Sequence, residues 1–191
     1  MRINAKQIQI IAIAALFLVP VVVAWFLYSG RAGLDPGPDA HGVLADPPVE
    51  LGDIELPPGG DAGAEGRLTG RWTFLYLERD ECGAACEEAL IRMRQVRLAL
   101  GKDASRVQRV YLPVVRDPDY DLATQAFPGM VVLPAGTPGR SELIERIGSR
   151  QPGEVLLVDP LGNLILSYPP GLDPDGLFRD AKHLLRLSKI G

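Results

Sequence analysis

The sequence predicts an α/β domain with one mixed sheet and flanking helices, set behind one N-terminal transmembrane helix. Three observations predict it. Residues 8–28 carry no charged side chain. Beyond them the apolar patterns alternate as strand, helix, strand, helix, hairpin, helix, the order of an α/β layer structure. The 191 residues leave room, after the apolar run, for one globular domain of ordinary size.

The apolar run reads IQIIAIAALFLVPVVVAWFLY. At about 1.5 Å per residue it spans a hydrocarbon core of roughly 30 Å. Gln9 and Pro20 are tolerated in such a helix, and Trp25 and Tyr28 stand where an interfacial aromatic belt belongs. The run exceeds the roughly 7–15 residues of a signal-peptide core, and SGRAGLDPG after it offers no small-residue cleavage site, so an uncleaved anchor is expected. Arg2, Lys6 and the amino terminus precede the run, whereas Arg31, Asp35 and Asp39 follow it. The bias of basic residues places the N-terminus in the cytoplasm and the rest in the periplasm of a bacterium, or an equivalent space. The expected organisation is residues 1–7 cytoplasmic, 8–28 anchor, 29–66 a Pro/Gly-rich tether with N-terminal strands, and 67–191 the globular domain.

Composition narrows the class. Of the 47% hydrophobic residues, part sits in the anchor, and the net charge of -4 argues against a nucleic-acid partner. Residues 30–39 are rich in Gly, Pro and Asp, as tethers are. Val49, Leu51, Ile54 and Leu56 alternate with polar residues around a slip at Gly52-Asp53, which predicts a bulged strand or two short strands, then a loop over 57–66. Residues 72–77, WTFLYL, suit a buried strand. Cys86, Ala89, Leu90, Met93, Val96 and Leu100 recur at helical spacing, with Gly101 a natural C-cap. Residues 107–115 predict a second strand, 121–127 a short helix, 130–133 a strand or loop, and 141–147 a helix capped by Ser141. Residues 154–168 predict a hairpin turning at Asp159-Pro160-Leu161-Gly162-Asn163. The last helix starts at Asp173 with Pro174 in its first turn and buries Leu177, Phe178, Ala181, Leu184 and Leu185.

Cys82 and Cys86, separated by Gly83, Ala84 and Ala85, fall at the junction of strand and helix. Two helical residues at this spacing share a face about 6 Å apart along the axis, within reach of a disulfide. A helix N-terminus favours the thiolate, which attacks disulfides and binds Cu(I). Glu81, Glu87 and Glu88 oppose it by repulsion. Three readings stay open for the pair: redox or metal chemistry, a structural disulfide (a poor staple, because the loop it closes is small), or two inert thiols. His41 is read as a surface residue just past the tether, and His183 as a surface residue of the last helix. Met93 belongs to the core stripe. Met130 falls in a segment of open assignment. Arg92, Arg94 and Arg97 read as a solvated helix face ahead of a docking face, and Asp80 and Glu81 as a cap of the cysteine helix ahead of a proton acceptor. No nucleotide loop, Ser-His-Asp grouping or zinc spacing occurs.

The stretch GRWTFLYLERDECGAACEEALIRMRQVRLALGKDASRVQRVYLPVVRDPD, with the later VLLVDPLGNLILSY, resembles the core of SCO/SenC proteins. The resemblance runs from about Leu68 to Ile190, plus the anchor. It implies a thioredoxin-like domain on a membrane anchor, a role in cytochrome c oxidase assembly, Cys82 and Cys86 as the working residues, and copper as a candidate ligand of both. The implied partner is an oxidase subunit or another assembly factor. His41-Gly42-Val43-Leu44 and Pro47-Pro48 resemble a smaller group of bacterial cytochrome oxidase-associated membrane proteins. Two departures stand out. The histidine that completes the copper site in SCO proteins is replaced near its expected place by Gln151, and Glu87 stands where proline usually follows the second cysteine. The spacing also differs from the C-x-x-C of thioredoxins, and Pro152 lies near the place of their cis-proline.

Overall fold

The computed structural model describes residues 4–28, 40–57, 60, 66–78, 81–113 and 127–190. They form two compact units, Met1–Asp39 and Ala40–Gly191. The first contains helix α1 (Ala5–Tyr28), with Pro20 inside it. Its described large apolar side chains, among them Leu16, Phe17, Val21 and Trp25, are exposed. Among the described residues, no helix is long and apolar enough to cross a membrane. The expected tether at 30–39 lies outside the described residues.

The second unit is a six-stranded mixed sheet with helices on both faces. The strands are β1 (Val43–Glu50), β2 (Trp72–Leu77), β3 (Val107–Leu112), β4 (Met130–Val132), β5 (Val155–Val158) and β6 (Asn163–Tyr168), in spatial order β1-β6-β5-β2-β3-β4. β2, β3 and β4 are parallel, and β5, β6 and β1 join antiparallel. Helices α2 (Ala84–Ala99) and α4 (Pro174–Leu187) cover one face, and α3 (Arg140–Ile147) the other. The central strands carry apolar residues on both sides because helices cover both sides. Phe74 and Tyr76 of β2 face the α2/α4 layer, while Leu75 and Leu77 face the α3 layer with Leu143 and Ile147.

The expected strand around Val49–Leu56 is corrected. β1 starts earlier, at Val43, and ends at Glu50. Its pairing with β6 breaks between Leu44 and Val49, where Pro47 and Pro48 supply no N–H. Leu51, Ile54 and Leu56 are buried on irregular backbone, joined to the sheet by Leu51 N–H donating to Gly162 O at 2.8 Å. That contact explains Gly162: its φ is +87°, and a Cβ there would lie 2.6 Å from Gly52 O. In the same turn the Asp159 carboxylate accepts from Leu161 N, Asn163 N and Asn163 Nδ2. The turn Asp159-Pro160-Leu161-Gly162 is therefore a brace between hairpin and irregular segment.

Other boundaries shift. α3 begins at Arg140 with Gly139 as N-cap, two residues before the expected cap Ser141. Arg140 is buried and donates from Nε to Leu133 O at 2.8 Å and from Nη2 to Pro113 O, so it is committed to backbone and starts the helix. Within residues 130–133 the short strand β4 covers Met130–Val132, and Met130 is a core residue. β3 ends at Leu112, and residues 114–126, including nearly all of the short helix expected over 121–127, lie outside the described residues. Gly101 takes φ +61° after α2 and opens a 3-10 turn, Gly101–Arg106. Asp173 caps α4, accepting from Asp175 N at 3.0 Å with Pro174 in the first turn.

Candidate functional site

The cysteine site sits where β2 hands the chain to α2. Cys86 lies in the first turn of α2 and Cys82 lies before it, since Gly83 is the N-cap. The pair thus straddles the junction of strand and helix, with only Cys86 helical. Cys82 and Cys86 form a disulfide, with Cα atoms 5.2 Å apart. Cys86 is buried at 2% exposure and belongs to the α2/α4 core; Cys82 is half-buried at its edge. Glu81 is exposed and no side chain caps α2, so the expected acidic cap is absent at Glu81; Asp80 lies outside the described residues. The N-terminus of a helix favours negative charge on a sulfur released in its first turn, where Cys86 lies.

A tyrosine layer lies beneath. The Tyr111 hydroxyl is 3.8 Å from Cys86 Sγ. In the disulfide the sulfur carries no proton, so the hydroxyl is the donor. The Tyr111 ring lies 5.9 Å from that of Tyr76, whose hydroxyl donates to Glu78 Oε2 at 3.0 Å. Burial, and then the Glu78 carboxylate beside it, push the Tyr76 pKa far above the ordinary phenol value, so Tyr76 stays protonated. A cavity of about 190 Å³ opens beside α2, lined by Tyr76, Glu78, Ala85, Glu88, Arg92 and Pro152. The Gln151–Pro152 bond is trans; the cis bond among the described residues is Asp46–Pro47.

No imidazole joins the sulfurs. Gln151 is exposed, and its backbone N–H donates to Glu154 Oε1 at 3.3 Å. His183 is exposed beside Arg186. Among the described residues, no group of three or more His, Cys, Asp and Glu side chains could hold a metal ion. The reading of Arg92, Arg94 and Arg97 as a solvated face holds for Arg94 alone. Arg92 donates to Leu172 O at 2.6 Å, and Arg97 Nε to Val107 O at 2.7 Å.

His41 is more than a surface residue. Its Nδ1 lies 2.9 Å from Asp180 Oδ1, and the N–H groups of His41 and Gly42 donate to Asp180 Oδ2 at 2.8 and 2.9 Å. The Tyr168 hydroxyl donates to the same oxygen at 2.8 Å. Burial alone would raise the Asp180 pKa. The His41 side chain, the two backbone N–H groups and Tyr168 outweigh it and hold the carboxyl below its usual range. The clamp needs close backbone approach: a Cβ on Gly176 would lie 2.8 Å from His41 Cβ. The sequence signal was Asp180 itself, a carboxylate on the apolar stripe of α4 between Leu177 and Leu184.

No curated protein matches the chain in sequence. Solved structures do match in fold. Copper-bound ScoI of Arabidopsis thaliana superposes with a TM-score of 0.52 at 18% identity, covering 78% of this chain and 100% of that one. Yeast Sco1 gives 0.54 at 16%, covering 74% and 100%. The thioredoxin domain of a thiol-disulfide oxidoreductase from Bacteroides vulgatus gives 0.51 at 16%, covering 75% and 99%. The α/β domain thus has the thioredoxin-like fold that the resemblance implies. Residues 72–188, more than half of the chain, match the family model "Transmembrane-like, thioredoxin-like, C-terminal domain", and the protein belongs to that family.

Proposed function

We propose that the protein is a membrane-anchored, SCO-like accessory factor of cytochrome c oxidase assembly, and that it works by thiol–disulfide exchange at Cys82–Cys86. The observation that carries the chemistry is the asymmetry of the pair: a half-buried Cys82 ahead of the helix, a buried Cys86 inside its first turn. A partner thiolate attacks Cys82 Sγ, the reachable sulfur. The S–S bond breaks and its electron pair leaves on Cys86, where the helix N-terminus and the Tyr111 hydroxyl stabilise the thiolate. A second partner thiolate then attacks its own sulfur in the mixed disulfide and releases Cys82. The partner is oxidised by two electrons and the pair is reduced to two thiols; the reverse sequence reduces a partner disulfide. Residues 8–28 anchor the domain in a bacterial inner membrane, with the N-terminus cytoplasmic and residues 67–191 periplasmic. The partner is an oxidase subunit or another assembly factor.

A second reading, Cu(I) carriage by the reduced pair, is favoured by the closeness of the two sulfurs. Two thiolates suit soft Cu(I). The residues present do not fit a three-donor Cu(II) site, because no histidine accompanies the sulfurs among the described residues. The test is deletion of the gene and complementation. Oxidase assembly falls on deletion, the wild type restores it, and the Cys82→Ser/Cys86→Ser variant does not. Rescue of the deletion by a small thiol compound supports exchange, and rescue by added copper supports carriage. Full complementation by the double serine variant would overturn both and leave a non-catalytic adaptor with a structural disulfide.

A further inference from the structure

At the far end of the α2/α4 layer lies an open groove of about 720 Å³ that the cysteine chemistry does not use. Lys102, Arg106, Arg179, Lys182, His183 and Arg186 line it, with Phe178 at its wall. Its one acid, Asp103, is paired with Arg106 at 3.4 Å, and Arg106 also donates to the carbonyls of Leu185, Ser188 and Ile190. That leaves Lys102, Arg179, Lys182 and Arg186 exposed and without a carboxylate partner among the described residues. The Lys182 ammonium rests 5.1 Å over the Phe178 ring, and Arg186 reaches only His183. A chain of net charge -4 has therefore gathered on one face four cations that have no carboxylate partner among the described residues. Beside them Leu187 and Ile190 are 66% and 57% exposed.

We propose that this groove seats anionic phospholipid headgroups and orients the domain on the membrane that carries it, an inference that rests on the anchoring proposed above. Cations hold the phosphates, while Leu187 and Ile190 reach the interfacial layer. Residues 29–39 connect anchor and domain, and a chain of that length reaches at most about 40 Å, so the groove meets lipid at high effective concentration. Because the rest of the domain is acidic, an anionic surface repels its other faces and attracts this one. The groove adjoins the C-terminal end of α2 and the disulfide its N-terminal end, which the 16-residue helix separates by about 24 Å. Docking through the groove thus leaves the cysteine pair about 24 Å along α2 from the docked end, free for a partner.

The test is amine labelling of Lys102 and Lys182, read by mass spectrometry, on the full chain in nanodiscs of phosphatidylcholine alone or mixed with phosphatidylglycerol. Labelling at both lysines is expected to slow about threefold or more in the anionic discs and to recover in high salt. In the variant Arg179→Glu/Lys182→Glu, Lys102 labels at one rate in both. Equal rates for the wild type in both lipids would overturn the proposal. Protection by a poly-glutamate peptide, with none from phosphatidylglycerol, would also overturn it and assign the groove to an acidic protein segment. If the chain is not retained in discs, the anchoring reading fails by itself. The same labelling with chain added to preformed vesicles of the two compositions then decides on the groove: slowing with the anionic vesicles supports it, and equal rates overturn it.

Discussion

Asp180 and Cys82 both border the α2/α4 side of the sheet, yet the chain holds them in opposite ways. Asp180 is 4% exposed and receives hydrogen bonds from two backbone N–H groups, a tyrosine hydroxyl and an imidazole. Cys82 is half-buried, precedes its helix, and is held by a covalent bond to a residue four positions away. Buried polar groups with every partner in place fix one arrangement and are costly to disturb. A half-exposed bond across a small loop can open while the sheet stays intact. The clamp is thus braced by four groups, and the reactive pair is far less braced.

Removing the clamp should have the largest effect. Asp180→Ala strands two N–H groups and the Tyr168 hydroxyl, and should lower stability by about 3–5 kcal/mol in denaturant unfolding of the full chain in detergent. Cys82→Ser/Cys86→Ser should cost about 2 kcal/mol or less, because chain entropy rewards so small a loop little. A double serine variant less stable than Asp180→Ala would reverse the contrast and make the disulfide the structural element.

Acid should reach the clamp next. The folded pKa of Asp180 lies below its unfolded value, so its contribution is complete above about pH 4 and is lost as pH falls through the folded value. Melting temperatures should show a downward limb below about pH 4 that Asp180→Asn flattens. An unchanged limb in that variant would mean that other carboxylates set the acid stability.

The smallest expected effect is at the pair. Tyr111→Phe removes the hydroxyl facing Cys86 Sγ, and with it a donor that favours the released thiolate. The disulfide should become harder to reduce by about 10–30 mV in glutathione equilibria, with little loss of stability. A shift in the opposite direction would exclude Tyr111 as a stabiliser of the leaving sulfur.

What the sequence disclosed follows from how local each signal is. Trp72–Leu77, the stripe of α2, the hairpin and the Asp173-Pro174 start of α4 were legible because period and capping are properties of neighbouring residues. β1 was placed too late: Pro47-Pro48 argues against a strand, and the alternation of Leu51, Ile54 and Leu56 imitates one while the backbone is irregular. Arg92 and Arg97 looked solvated because their partners are carbonyls, which leave no trace in residue type. The cysteine motif was visible at once, but Tyr111 stands 25 positions beyond Cys86 and meets it only through the β2–β3 pairing. Asp180 was passed over, although a carboxylate on an apolar stripe is a signal, because its partner His41 lies 139 residues away.

The sheet's two margins carry a consequence for how other proteins can approach. One margin is β1, interrupted by Pro47 and Pro48, and the other is β4, three residues long. A strand added from outside needs a long run of unpaired donors and acceptors, and among the described residues the prolines of β1 and the shortness of β4 interrupt such a run. Self-templated stacking through the sheet is blocked in the same way. These margins favour recognition through side chains at loops and helix ends, where selectivity comes from shape and charge rather than from main-chain zippering.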